Sequence, residues 1–294
     1  MKKTVYGLFS VILVMCLSAG LACNSGTTTV SKQDPAARVR IATTTSLYDT
    51  GLWALLEPMF EEEYDVELDV LYAGTGIAIE YGQRGDVDAI AVHSKSREEA
   101  FVADGYGIER VPFAYNYFVI VGPPDDPAGI ADMTPEDALD KLFTDADSKF
   151  ISRGDNSGTH SKEKAIWALA GYDYATQIVG AGSWYVEAGS GMGPTLLKAN
   201  EFEGYTLSDI GTYLAYQGDL DLDIIVGQGS ILLNVYSVIA CDAENTNSRV
   251  NEEMGQNMVT FLTSEEIQGI IGEYGVAEYG QQLFTPCAGN EPTS

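Results

Sequence analysis

Three short stretches carry residue types that could do chemistry together. ISRGDNSGTH (residues 151–160) sets one guanidinium, Arg153, beside Gly154, Ser157, Gly158 and Thr159. ATTTSLYDTGLW (residues 42–53) lines up Thr43, Thr44, Thr45 and Ser46, and AGTGIA (residues 73–78) frames Thr75 between glycines. Hydroxyls donate hydrogen bonds without adding charge. Glycines let backbone N–H groups approach an anion closely. A guanidinium offers a planar fork of donors matched to oxygen pairs. One cation, many neutral donors and three helix starts suit an oxyanion that carries no proton. Each stretch alone also reads as an ordinary helix cap; three of them in equivalent places favour a ligand.

The surrounding elements make those places equivalent. RVRIATTTS (residues 38–46) reads as a strand, and SLYDTGLWALLEPMFEEEY as a helix with apolar residues at helical spacing. DVELDVLYAG, TGIAIEYGQRGDV and DAIAVHS continue as strand, helix and strand. This β-α-β-α-β order implies a mostly parallel sheet, and ligands of open α/β sheets bind at the carboxyl ends of strands, near helix N-termini. TPEDALDKLF predicts a helix capped by Thr134, with Pro135 first and Asp137 in its opening turn. SKEKAIWALAGY predicts another, and GSWYVEAGSGMGPTLLKANE an aromatic loop. Two long extended runs, PFAYNYFVIVG (residues 112–122) and LLNVYSVIA (residues 232–240), bracket a middle block. The chain is therefore expected to form two α/β lobes and to cross between them twice: residues 38–117 with 236–294, and residues 118–235. NEEMGQNMVTFLTSEEIQGIIGEYG predicts a terminal helix.

The chain has 294 residues and a formal net charge of -27. Such a surface repels nucleic acid and anionic lipid, and favours a soluble monomer. An anion site inside it requires local donors, with the distant acids screened over roughly 8–10 Å. Residues 1–22, a basic start followed by an apolar run, predict a secretory signal. Residues 23–37 predict a polar tether. AGLAC resembles a bacterial lipoprotein signal that would lipidate Cys23, although Gly20 stands where Leu is usual. Cys241 and Cys287 remain for the exported body, either as one disulfide or as two thiols.

The motifs ATTTSLYDTGL, RGDVDAIAVHS, SRGDNSGTHSKE, WYVEAGSGMGPTL, YTLSDIGTYLA and GEYGVAEYGQQLFTP resemble those of Tup-type tungstate-binding proteins, in register from about residue 38 to 286. The resemblance implies a type II periplasmic-binding-protein fold with mixed, mostly parallel sheets and a hinged cleft. It implies no catalysis and no cofactor or metal, the ligand being an oxyanion. It also implies an extracytoplasmic place, probed by a membrane permease of an ABC transporter, with membrane contact only through a lipid anchor. Carried over by position, Thr43, Thr44, Thr45, Ser46, Thr75, Arg153, Ser157 and Thr159 would hold tungstate or molybdate, and residues 189–195 would pack against the site. Two rivals are weighed. Hydrogen phosphate carries a proton and needs an acceptor, a role open to Asp155 if it faces the ligand. An exported hydrolase would need Ser157 and His160 to pair, but GDNSGTH is not the G-x-S-x-G elbow. His93 reads as sheet-end structure.

Overall fold

The computed structural model describes residues 37–246 and 249–292. The proposed signal, the lipidation site Cys23 and nearly all of the tether lie outside the described residues. In chain order the elements are β1 (Ala37–Thr44), α1 (Thr45–Asp49), α2 (Leu52–Tyr64), β2 (Val66–Ala73), α3 (Thr75–Gln83), β3 (Ala89–Val92) and α4 (Lys95–Ala103). Then follow β4 (Val111–Gly122), α5 (Pro135–Asp145), β5 (Phe150–Ser152), α6 (Gly158–Leu169), β6 (Tyr185–Glu187), α7 (Met192–Glu201), β7 (Thr206–Asp209) and α8 (Ile210–Tyr216). The chain ends with β8 (Asp223–Val226), β9 (Leu233–Ala240), α9 (Glu252–Thr263), α10 (Glu265–Glu273), α11 (Val276–Tyr279) and β10 (Thr285–Pro286).

Register decides which residues meet. β1 pairs in parallel with β2 (Thr44 opposite Ala73) and with β3 (Thr43 opposite Ala91). Parallel strands end on one edge, so Ser46, Thr75 and His93, each just beyond a strand, emerge side by side. β9 closes that group by running antiparallel to β3, with Ile90 opposite Ile239. The sheet is thus mixed, ordered β10-β4-β9-β3-β1-β2.

β4 changes partners along its length. Its first half pairs with β9 up to Tyr117 opposite Leu233. Its second half, from Phe118 opposite Asp209, pairs with β7 and then β8. One apolar core draws only on the segment from Phe118 to Leu232, with Trp167, Phe150 and Tyr205 at its centre. Another draws on β3, α3, α4 and β9 through Ile90, Phe101 and Ile239. A third cluster spans β1, α2, α8 and α9 and joins the two sides of β4. There Gly211 of α8 lies so close to Thr50 that a Cβ would stand 2.9 Å from its methyl.

Several elements differ from the sequence expectation for identifiable reasons. The first helix is split: Gly51 adopts φ 81, and its N–H bonds Tyr48 O at 3.0 Å, ending α1 after one turn. The terminal helix breaks at Ser264, which turns extended and accepts the N–H of Ile267. The aromatic loop contains β6 and α7, whose Met192, Thr195, Leu196 and Ala199 are buried at helical spacing. Cys241 and Cys287 are free thiols, the first buried and the second half-buried, so the disulfide is not formed. α5 is as expected, with Thr134 accepting the Asp137 N–H.

Candidate functional site

The loop from β5 to α6 is folded by its own polar atoms. Gly154 and Asn156 take left-handed conformations, φ 61 and 58, which turn the chain back toward its helix. The Gly154 N–H donates to Ser152 Oγ (3.1 Å), and the Asn156 N–H to His160 Nδ1 (2.9 Å). Ser157 caps α6, its Oγ accepting the His160 N–H at 3.2 Å. The N–H groups of Gly158 and Thr159 occupy the first turn, where no helical carbonyl reaches them and the helix end is partly positive.

Arg153 is buried to 4% exposure. Its Nε and Nη2 both donate to Asp155 Oδ2, at 3.1 and 2.6 Å, which leaves Nη1 out of the pair. The other Asp155 oxygen accepts the Ser157 N–H at 3.0 Å. Burial alone would raise the Asp155 pKa; Arg153 and Ser157 outweigh it and hold this carboxyl below its usual range. Asp155 therefore serves Arg153 and the helix cap. Residues 189–195 do touch this loop: the Gly189 N–H donates to Arg153 O at 2.8 Å.

The strand-end donors divide. Thr43 faces the core, where its Oγ1 donates to Ala91 O (3.0 Å) and accepts from Trp53 Nε1 (3.2 Å). That hydroxyl is committed to packing. Thr44 caps α1 by accepting the Leu47 N–H. Thr45 is half-buried. Ser46 Oγ stands 3.2 Å from His93 Nε2 and 3.4 Å from Thr44 Oγ1. Thr75 opens α3, buried at 1% exposure, and its Oγ1 has no hydrogen-bond partner. The same is true of Thr159 Oγ1, at 2% exposure. Buried hydroxyls are seldom left unpaired, because each such group loses water without compensation.

Gly158 joins the two sides. A Cβ there would lie 3.1 Å from Thr75 Oγ1, 2.7 Å from His93 Cε1 and 3.1 Å from His93 Nε2. The first turn of α6 therefore abuts the end of β3 and the start of α3. Thr75 and, through His93, Ser46 meet the helix there, Ser157 and Thr159 flank Gly158 in the chain, and burial lowers the His93 pKa with Arg153 adding to the effect. α1 has only five residues, so it contributes N–H groups rather than a developed helix dipole.

His93 stands just past the end of β3, where the sequence places it, and is bonded to both Asn234 and Ser46. It follows β3 just as Thr75 follows β2, and that shared placement is the sequence signal for its position. Its Nδ1 is 2.9 Å from Asn234 Oδ1 on β9. Lys162 of α6 donates to the carbonyls of Ile231 (2.8 Å) and Leu233 (2.9 Å), tying the site helix to the start of β9. Burial pushes the Lys162 amine down to about 8.

Beneath the loop lies a second polar chain. Glu163 accepts from Ser152 Oγ (2.6 Å), Tyr185 Oη (2.7 Å) and Trp167 Nε1 (3.2 Å). Burial pushes its carboxyl up to about 7, although these donors oppose the rise. The folded protein then holds this proton more tightly than the unfolded chain. The resulting stability is complete below the ordinary value of 4.5 and is lost as pH rises through about 7. Glu163→Gln is expected to flatten that decline in urea midpoints measured from about pH 5 to about pH 8. A decline as steep as that of the natural protein would assign it to other groups.

The hydrolase arrangement is absent. The His160 ring turns away from Ser157, with Nδ1 on Asn156 and Nε2 2.7 Å from Tyr174 Oη, while Ser157 Oγ accepts the His160 backbone N–H. Among the described residues no cluster of three or more His, Cys, Asp or Glu could hold a metal ion. No described helix is long and apolar enough to cross a membrane. An open cavity of about 630 Å³ lined by Tyr115, Tyr117, Gln228 and Gln281 holds none of the predicted donors.

A PBP superfamily domain matches residues 25–266. The chain is 41% identical over 279 residues to the tungstate-binding protein TupA of Peptoclostridium acidaminophilum, covering 94% of this chain and 95% of the relative. The chain belongs to the TupA family of the PBP superfamily. Solved TupA-family structures agree with its fold. The tungstate-binding protein TupA from Desulfovibrio alaskensis G20 matches with a TM-score of 0.74 at 38% identity, over 86% of this chain and 100% of that one. The tungstate ABC transporter structure from Geobacter sulfurreducens matches at 0.71 with 44% identity, over 81% and 98%. Relatives of this family are substrate-binding proteins of transport systems.

Proposed function

We propose that the protein captures a fully deprotonated tetrahedral oxyanion, tungstate or molybdate, outside the cytoplasm and hands it to the permease of an ABC transporter. The observation that carries this reading is the orientation of Asp155. Both its oxygens already accept, from Arg153 and from the Ser157 N–H, so this carboxylate is turned to its own loop and its charge is balanced before any anion arrives. What remains are donors: the unpaired Thr75 and Thr159 hydroxyls, the first turn of α6 and Arg153 Nη1. Hydrogen phosphate would have to leave its proton without the carboxylate partner it needs.

In this reading β4 and β9 are the connections between two lobes, since β4 exchanges β9 for β7 between Tyr117 and Phe118. Ser46 and Thr75 come from one lobe, Arg153, Ser157 and Thr159 from the other. Only the closed arrangement satisfies all donors, so the ion favours closure. A lipid anchor at Cys23 would keep the monomer beside its permease, and no reaction is catalysed.

The reading is tested by calorimetry against tungstate, molybdate, sulfate and phosphate in one buffer. Tungstate and molybdate are expected to bind tightly, with the smaller sulfate weaker and phosphate weakest. Tightest binding of phosphate would overturn it in favour of a phosphate-binding protein.

A further inference from the structure

We propose that His93 takes up one proton from solvent when the oxyanion enters, and that this proton redirects the Ser46 hydrogen from the ring to the anion. The inference rests on the capture reading above and specifies its chemistry.

The argument begins at Asn234. Its Nδ2 donates to Asn116 Oδ1 (2.9 Å) and to Tyr236 Oη (2.8 Å), which uses both amide hydrogens. Its Oδ1 must then accept, and the group within reach is His93 Nδ1, at 2.9 Å. The neutral ring therefore carries its hydrogen on Nδ1 and a lone pair on Nε2. At 3.2 Å from that lone pair stands Ser46 Oγ, so the Ser46 hydrogen points at the ring. The lone pairs of Ser46 are left for anything else that approaches. An oxygen of a bare dianion would meet lone pairs there, not a hydrogen.

Adding a proton at Nε2 resolves the conflict. The ring then donates to Ser46 Oγ, and the Ser46 hydrogen is released toward the anion. No bond to the anion forms, and the balance is one proton consumed per ion bound.

Charge counting points the same way. Arg153 and Asp155 already neutralise each other at 2.6 Å. Lys162 supplies one positive charge near the ring. A buried dianion calls for a second. In the empty site His93 stays neutral because burial pushes it down to about 4, helped by Arg153 from the β5–α6 loop and Lys162 from α6. The groups on its other sides, Ser46, Asn234 and the rings of Phe118 and Tyr236, carry no charge. The dianion reverses that balance.

The test is calorimetric titration of the full chain with sodium tungstate at one pH in buffers of different ionisation enthalpy. The slope of observed heat against buffer enthalpy counts protons, and a slope near one taken up is expected. Affinity should accordingly fall as pH rises from about 5.5 to about 7, below the Lys162 value of about 8, by up to about tenfold per unit. His93→Gln keeps a donor for Ser46 but cannot titrate, so near pH 6, below the range where Lys162 gives up its proton, its slope should vanish. Glu163→Gln should retain the slope. Tungstate binding with no proton uptake, or uptake that survives in His93→Gln, would overturn the inference and leave the capture reading intact. Failure of every tetrahedral dianion to bind would overturn both.

Discussion

Arg153→Ala is expected to weaken tungstate binding by about 2–5 kcal/mol, toward the upper end. Two losses combine. The ion loses a guanidinium that is 4% exposed, and with it a charge-assisted, forked contact that a neutral water does not replace. The Asp155 carboxylate also loses its partner, and a free negative charge then stands beside the entering dianion. The second loss is separable. Arg153→Ala with Asp155→Asn should recover part of the affinity, whereas the two changes would only add if Asp155 were remote from the ion. Arg153→Lys keeps the charge without the fork and should fall between. Unchanged calorimetric affinity in Arg153→Ala would remove that residue from the site.

Gly158→Ala should cost about 1–3 kcal/mol of ion affinity, roughly ten- to a hundredfold, without harming the fold. Alanine is the better helix former, so the first turn of α6 loses nothing by the change. The added methyl instead meets His93 at 2.7 Å and Thr75 at 3.1 Å. It must push the two sides apart at the point where their donors converge. A variant that melts at the natural temperature but fails in titration is the expected result. One that binds normally would show that the junction at Gly158 does not bound the ion.

Much of this architecture is legible in the sequence because it rests on local rules. Thr134, Pro135 and Asp137 announce the start of α5, and strand runs ending in hydroxyl or glycine residues locate the donors. What escapes depends on partners far along the chain. His93 looks inert until Asn234, 141 residues away, is seen to orient its ring. Thr43 looks like a ligand donor until its hydroxyl is found between Ala91 and Trp53. α4 buries only Glu98 and Phe101, so it has too little apolar period to stand out. α7 is hidden by the glycines before it, whose conformational freedom suggests a loop. The breaks at Gly51 and Ser264 turn on single dihedral angles that periodicity does not register.

The near-complete burial of Arg153, Thr75 and Thr159 has a kinetic meaning. An ion held by groups with no route to solvent departs only when the walls around it separate. Residence time is then governed by the opening of the protein, and an ion that stabilises the closed state more strongly slows that opening and stays longer.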